Sequence, residues 1–284
     1  MKIIDIHNHI IFRFKNDLED LLNFATKAKK LGVSMIGISL NTTIKEMQEG
    51  IMDFKNNKNQ DPYFKWNFNM MESLKSKKVF IEVFPFLYLP PEINLAKKSM
   101  EKYESIFRGK KFGYKIHSQG IREEIQNLRG INSHRPIIIH SSIDYSSPED
   151  ILNYFSDYEG NVLLAHFAKF DIKSLKQIKN LPNFFIDSSI STIMFEALKS
   201  KSPRIYYSEE LSKVKSPLDL YLSVGKICGF GKILFATDYP LSQTPRDLYK
   251  KEIEVLLKIP QKQREKISYK NTLKFLNVLS LKNN

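Results

Sequence analysis

Eight short apolar runs recur along the chain, each followed by helix-like sequence, and no other feature limits the fold so tightly. The runs are Lys2–His7, Val33–Ser39, Val79–Phe84, Gly113–His117, Pro136–His140, Asn161–His166, Asn183–Asp187 and Lys232–Thr237. They are rich in Val, Ile and Phe and apolar at most positions, the pattern of strands buried on both faces of a parallel sheet. Between them lie amphipathic stretches. Asp17–Leu31 sets Leu18, Leu21, Leu22, Ala25, Ala28 and Leu31 on one face and stops at Gly32, a residue suited to ending a helix. Glu149–Tyr158, Asp171–Lys179 and Pro217–Gly229 read the same way. The count predicts an α/β fold: a (β/α)8 TIM barrel over residues 1–284, as a single domain. An open doubly wound sheet shares the pattern.

Two stretches exceed a simple strand–helix unit. Asn41–Lys78 contains Ile44–Phe54 and Tyr63–Leu74, both helical in pattern, and Ser188–Gly231 contains the Tyr-rich piece Ser202–Leu211. They are expected to be helical insertions, either covering a site at the barrel mouth or adding outer helices. Arg246–Leu257 and Gln261–Leu279 are expected to close the fold as two helices.

Composition narrows the partners. The net charge is +13, which admits a nucleic acid, a membrane surface or an anionic substrate. Only 8 of the 44 basic residues are Arg, and the lysines are scattered among Asn and Ile. A solvated Lys-rich surface fits this better than a nucleic-acid stripe. No apolar run reaches the ~18 residues of a membrane span. The N-terminal MKIIDIHNHI has no apolar h-region, so no signal peptide is expected. The single cysteine, Cys228, allows no intrachain disulfide and suits a cytoplasmic location. The expected partner is a small-molecule substrate; a homodimer is possible.

The polar residues stand out by position. His7, His140 and His166 each end an apolar run, and Asp238 directly follows the last one. In a barrel, the C-terminal strand ends converge on one mouth. Side chains alternate along a strand, so His7 and His9 point to one side with Asn8 between them. Two imidazoles so spaced can chelate one ion, and three or four N and O donors suit zinc, iron, manganese or nickel better than calcium.

The chain resembles the amidohydrolase superfamily, in the amidohydrolase-related branch that also contains metal-dependent decarboxylases. The matching pieces are Ile4-Asp5-Ile6-His7-Asn8-His9, Gly113-Tyr114-Lys115-Ile116-His117, Pro136-Ile137-Ile138-Ile139-His140 and Leu163-Leu164-Ala165-His166-Phe167. Ile233-Leu234-Phe235-Ala236-Thr237-Asp238-Tyr239-Pro240 and the closing Asn271-Thr272-Leu273-Lys274-Phe275-Leu276 complete the series. The resemblance implies that His7, His9, His140 and Asp238 ligate one divalent metal, zinc first, with manganese or iron as alternatives. It makes His166 a catalytic imidazole or a ligand. It implies a hydrolase of a small amide, lactone or related C–N or C–O substrate, or else a metal-dependent decarboxylase or hydratase of a small carboxylic acid. Asp238 suits the proton-accepting role beside a metal-activated water.

Further candidates lie at the same mouth. Lys115 and His117 share a strand face and could contact substrate; a carboxylated, metal-bridging Lys115 is the alternative found in binuclear relatives. Arg13, soon after His9, could grip a substrate carboxylate with its planar fork. Asp187 could orient a ligand or cap the next helix. Trp66, Tyr206, Tyr207 and Phe12 could line a pocket or simply pack, and His134 should be exposed.

Overall fold

The computed structural model describes residues 2–10, 18–40, 61, 63–76, 79–90, 92–117, 125–126, 128–240 and 247–277. The eight expected strands all form. They are β1 (Ile3–Ile10), β2 (Val33–Leu40), β3 (Glu82–Tyr88), β4 (Gly113–Ile116), β5 (Ile137–Ile139), β6 (Val162–Leu164), β7 (Phe184–Asp187) and β8 (Ile233–Leu234). Each pairs in parallel with the next, in the order of the sequence. The ring is completed by backbone hydrogen bonds across β1 and the segment after β8: Ile6 N to Phe235 O (3.2 Å), Asp238 N to His7 O (2.9 Å) and His9 N to Tyr239 O (2.7 Å). This is a (β/α)8 barrel, and the open doubly wound sheet is ruled out.

The helices follow the amphipathic pattern. They are α1 (Glu19–Lys30), α2 (Phe64–Ser76), α3 (Ile93–Ile106), α4 (Pro148–Tyr154), α5 (Ile172–Ile178), α6 (Ser191–Lys199), the single turn α7 (Glu209–Ser212), α8 (Pro217–Cys228) and α9 (Leu248–Lys258). Helix α1 shows why they form. Its first turn is acidic and its last basic, which matches the helix dipole, and Leu21, Phe24, Ala25 and Ala28 are buried toward the sheet. The last expected helix is three joined pieces: α10 (Gln261–Glu265), a π turn (Lys266–Lys270) and α11 (Asn271–Phe275). Several boundaries differ from expectation: β1 continues past His7 to Ile10, and β8 stops at Leu234, three residues short of Thr237. Strand β3 runs Glu82–Tyr88 instead of Val79–Phe84, because the sheet continues past Pro85, whose missing N–H the pairing tolerates. Strand β6 stops at Leu164, two residues short of His166. The expected helix Ile44–Phe54 lies outside the described residues.

Two apolar layers hold this together. The larger lies between the barrel wall and the helices. The smaller fills the barrel from alternate strand positions, Ile4, Ile6, Met35, Phe84, Phe86, Ile138, Leu163, Phe185, Leu234 and Ala236, and is stoppered by Phe275 and Leu276. The barrel is therefore a packed core, and chemistry is confined to its open end. No described helix is long and apolar enough to cross a membrane.

Candidate metal centre

Strict alternation on β1 would give Ile4 and Ile6 the opposite face from His7 and His9. The strand avoids this conflict with one extra residue. Asp5 pairs with Ile36 and Asn8 with Ile38, so three steps on β1 match two on β2. Such a bulge resets the alternation. Ile4 and Ile6 pack inside the barrel, and His7 and His9 still reach its mouth. The bulge needs Gly37 on β2, where a Cβ would overlap the carbonyl oxygen of Ile6. Asn8 points the other way and ties the strands together. It donates to the carbonyls of Asp5 and Gly37 (3.1 Å each) and accepts from Thr237 Oγ1 (3.1 Å) and Tyr239 N (3.2 Å).

The protons on the two β1 imidazoles are set by their outer partners. His7 Nδ1 lies 2.8 Å from Asp187 Oδ2, and His9 Nδ1 lies 2.8 Å from the Leu40 carbonyl. Both partners only accept, so each Nδ1 carries the proton and each Nε2 presents a lone pair. These lone pairs converge. The Nε2 atoms are 3.1 Å apart, and Asp238 Oδ1 lies 3.2 Å from His9 Nε2 and 3.9 Å from His7 Nε2. Asp238 Oδ1 is buried with no hydrogen-bond partner among the described residues. Three acceptors that face one another repel unless a cation lies between them. Ligands at about 2.0–2.2 Å from one ion are separated by roughly these distances, so the three residues fit a divalent metal. Asp238 reaches this position from a left-handed backbone, φ 56°.

Lys115 supplies positive charge at the same point. It is fully buried, and its Nζ donates to His7 Nε2 at 2.7 Å. Burial lowers its pKa to about 8, against the pull of Asp238 and Asp187. Asp187 is buried on β7. Burial alone would raise its pKa, but the His7 imidazole outweighs that and holds it well below the usual carboxylate range. Of the two roles open to it, Asp187 takes the orienting one. Besides His7, it accepts from His166 N (2.9 Å), Ser189 N (3.0 Å) and Ser189 Oγ (2.6 Å).

A second group of imidazoles faces the first. His166 Nε2 is 3.2 Å from His140 Nδ1, and the His140 and His117 rings stack at 4.2 Å. Since Ser189 Oγ donates to Asp187, it accepts from His166 Nδ1 (2.8 Å). That leaves His166 Nε2 as the lone-pair atom, toward which His140 Nδ1–H donates. Burial depresses the pKa of all three rings: His117 to about 3, His140 and His166 well below the usual imidazole value. Burial, then Lys115, likewise lowers His7. His117 Nδ1 is buried with no partner among the described residues.

His166 is oriented by an unusual backbone. Residues His166–Phe170 all have positive φ: 59°, 52°, 48°, 48° and 64°. They form one left-handed turn without a glycine, and each such residue costs about 1–2 kcal/mol. The local sequence contains no signal for it.

The structure thus gathers His7, His9 and Asp238 at one point, with Lys115 on them, and sets His140, His166 and His117 alongside. His134 is exposed at the rim of the opposite end, against Glu159 (3.0 Å). Trp66 packs against the outer core and Tyr207 is exposed. Arg13 and Phe12 lie outside the described residues. Ser189, on Asp187 and His166, and Ser39, on His9 Nδ1 (3.1 Å), are residues of the site that sequence reasoning did not assign. Ser189 had one signal, its place two residues after Asp187.

Fold and site together give a (β/α)8 barrel whose mouth carries a group of side chains that could hold a metal ion. Residues 133–278, just over half of the chain, match the family model described as Amidohydrolase, and the chain belongs to that family. Members of the family bind a divalent metal. No curated protein matches the sequence. Among solved structures, a 2,6-dihydroxybenzoate decarboxylase from Rhizobium aligns with TM-score 0.60 at 12% identity, covering 98% of each chain. A dihydroxybenzoic acid decarboxylase from a Polaromonas species, with bound manganese, aligns with TM-score 0.61 at 12% identity, covering 98% of this chain and 97% of that one. A probable 2-pyrone-4,6-dicarboxylic acid hydrolase from Acinetobacter baumannii gives TM-score 0.54 at 11% identity, covering 98% and 100%. At these identities the likeness is one of fold.

Proposed function

We propose that the chain is a metal-dependent hydrolase that uses water to cleave a C–N or C–O bond of a small amide, lactone or related substrate. The supporting observation is the convergence of three lone-pair atoms, His7 Nε2, His9 Nε2 and Asp238 Oδ1, of which the last has no protein partner among the described residues. These residues would hold zinc, or manganese or iron, with His140 beside them. When bound, the metal acts as Lewis acid and lowers the pKa of water to roughly 7.

The chain's own groups do the rest. The Asp238 carboxylate, through its other oxygen, Oδ2, accepts the proton of the attacking water and returns it to the leaving nitrogen or oxygen. His166 enters with Nε2 unprotonated, which suits it to moving a proton and not to polarising a carbonyl. Asp187 holds His7 and, through Ser189, His166 in the tautomers this requires. His117, whose Nδ1 has no partner among the described residues, is proposed to contact substrate, together with Arg13 and with Lys115, whose ammonium lies on His7 Nε2. The buried Lys115 at the mouth supports a second reading on the same residues: non-oxidative decarboxylation of a small carboxylic acid, as in the decarboxylases of the same fold.

The test is Asp238→Asn, which keeps the shape and one carbonyl donor but removes the basicity. A loss of about 100- to 10,000-fold in turnover with only partial loss of metal is expected. Metal analysis of His7→Ala and His9→Ala should show the ion stripped. A fully loaded Asp238→Asn protein with near wild-type rate and unchanged pH profile overturns the role of Asp238. Carbon dioxide release in a substrate screen separates the second reading from the first.

A further inference from the structure

A cleft of about 400 Å³ opens at the end of the barrel away from the mouth. It is lined by Lys2, just ahead of β1, and by side chains of α10 and of the π turn that follows it. The π turn is tied to the barrel wall: Phe235 N donates to the Ile267 carbonyl at 3.0 Å, and Ile267 and Ser268 are buried. Such turns interrupt the regular helical ladder and often occur at functional sites.

Three cations, Lys2, Arg264 and Lys270, meet one carboxylate, Glu265, around this cleft. Glu265 is engaged by its neighbours: it accepts from Lys270 Nζ at 2.8 Å and from Gln261 Nε2 at 3.2 Å. Lys2 Nζ lies 5.5 Å from the centre of the Tyr269 ring and, like Arg264, has no carboxylate partner among the described residues. Arg264 donates through Nη1 to the Leu257 carbonyl, which fixes its guanidinium. The opposite edge, Nε with Nη2, is the one that grips oxyanions in pairs. Arg135 shows that edge satisfied, with Nε and Nη2 each 2.8 Å from a Glu104 oxygen. On Arg264 the Nε is buried with no partner among the described residues, and so is Ser268 Oγ. A helical serine can donate to the carbonyl one turn back; Ser268 does not. Two unpaired donors cost stability, and both residues line the same cleft.

We propose that this cleft binds a small phosphate monoester. Arg264 holds two phosphate oxygens through Nε and Nη2, Ser268 Oγ–H donates to the phosphate, and Lys2 supplies the second positive charge. Two cations without carboxylate partners match a dianion, whereas a carboxylate ligand would leave one of them uncompensated. The cleft is larger than a phosphate ion and falls in the range of small-molecule sites, about 300–1,000 Å³. Tyr269, partly buried beside it, offers a ring to the rest of the ligand. The proposal is independent of the metal reading, because Lys2 stands at the opposite end of β1 from His7 and His9.

The test is calorimetric titration of the full chain, metal-free and zinc-loaded, with phenyl phosphate, inorganic phosphate, benzoate and phenol. Metal-free wild-type protein should bind phenyl phosphate more tightly than inorganic phosphate, and about 10-fold or more tighter than benzoate or phenol. Arg264→Lys keeps the charge and loses the fork, so binding should weaken about 10-fold or more. Lys2→Met should weaken phenyl phosphate more than phenol. Ser268→Ala should bind more weakly with an equal or higher Tm, because the free protein loses an unpaired hydroxyl. The proposal is overturned if Lys2→Met and Arg264→Lys bind phenyl phosphate like the wild type, if benzoate binds as tightly, or if the wild type binds no phosphate ester. Binding that requires zinc and survives Lys2→Met belongs to the mouth and overturns it as well. Lys2 is exposed, so Lys2→Met decides the question even if Arg264→Lys fails to fold.

Discussion

The two layers inside the barrel come from the same strands and are built on opposite rules. In the lower layer Ile4, Ile6, Phe86, Leu163, Phe185 and Leu234 are closed off by Phe275, and no polar atom needs a partner. One layer above, His7, Lys115, Asp187 and Asp238 are equally buried, yet lone pairs face one another and a carboxylate oxygen is left unpaired. The lower layer contributes stability by close packing. The upper layer costs stability, and the rest of the barrel holds it in place. The Gly37 bulge and the left-handed turn both belong to the upper layer.

Breaking the lower layer should show the largest effect on folding. Phe275→Ala removes the stopper and should cost about 3–5 kcal/mol, read as a lower urea midpoint. Metal bound per folded molecule should not change. A loss of metal at full stability would show that the layers are not separable in this way.

Asp187→Asn probes the upper layer through its support. The side chain keeps its shape but loses the charge that orients His7. Metal affinity should fall about 10- to 100-fold, measured by competition with a chelator, with little change in the urea midpoint. Unchanged affinity would mean that the packing of His7, and not Asp187, sets its geometry.

Acid should find the upper layer more gradually. The pKa values of His7, His117, His140 and His166 all lie below 6.5 in the folded chain. As pH falls through 6.5 the unfolded chain takes up protons that the folded chain refuses, so stability is lost on acidification. Each ring contributes up to about 1.4 kcal/mol per pH unit below that point. Tm of the metal-free protein should therefore drop from pH 7.5 to 5.5. A flat profile would mean that these rings are solvated.

The sequence by itself determined the eight strands and the address of the candidate site. Eight apolar runs, with His7, His140 and His166 at run ends and Asp238 just after the last, mark the strands and the site by strand periodicity; that the strands close into a ring, and not an open sheet, came from their order and the hydrogen bonds between β1 and the segment after β8. It left open what needed distant partners. Alternation alone could not reconcile Ile6 with His7, since the bulge depends on Gly37 in the next strand. Asp187 could cap or orient; the choice fell to His7, 180 residues away. The turn that aims His166 contains no glycine, so nothing in His166-Phe167-Ala168-Lys169-Phe170 announces it. Left-handed backbone at such residues is locally unfavourable, and only contacts such as Asp187 with the His166 N–H and Tyr206 with the Lys169 carbonyl hold it there.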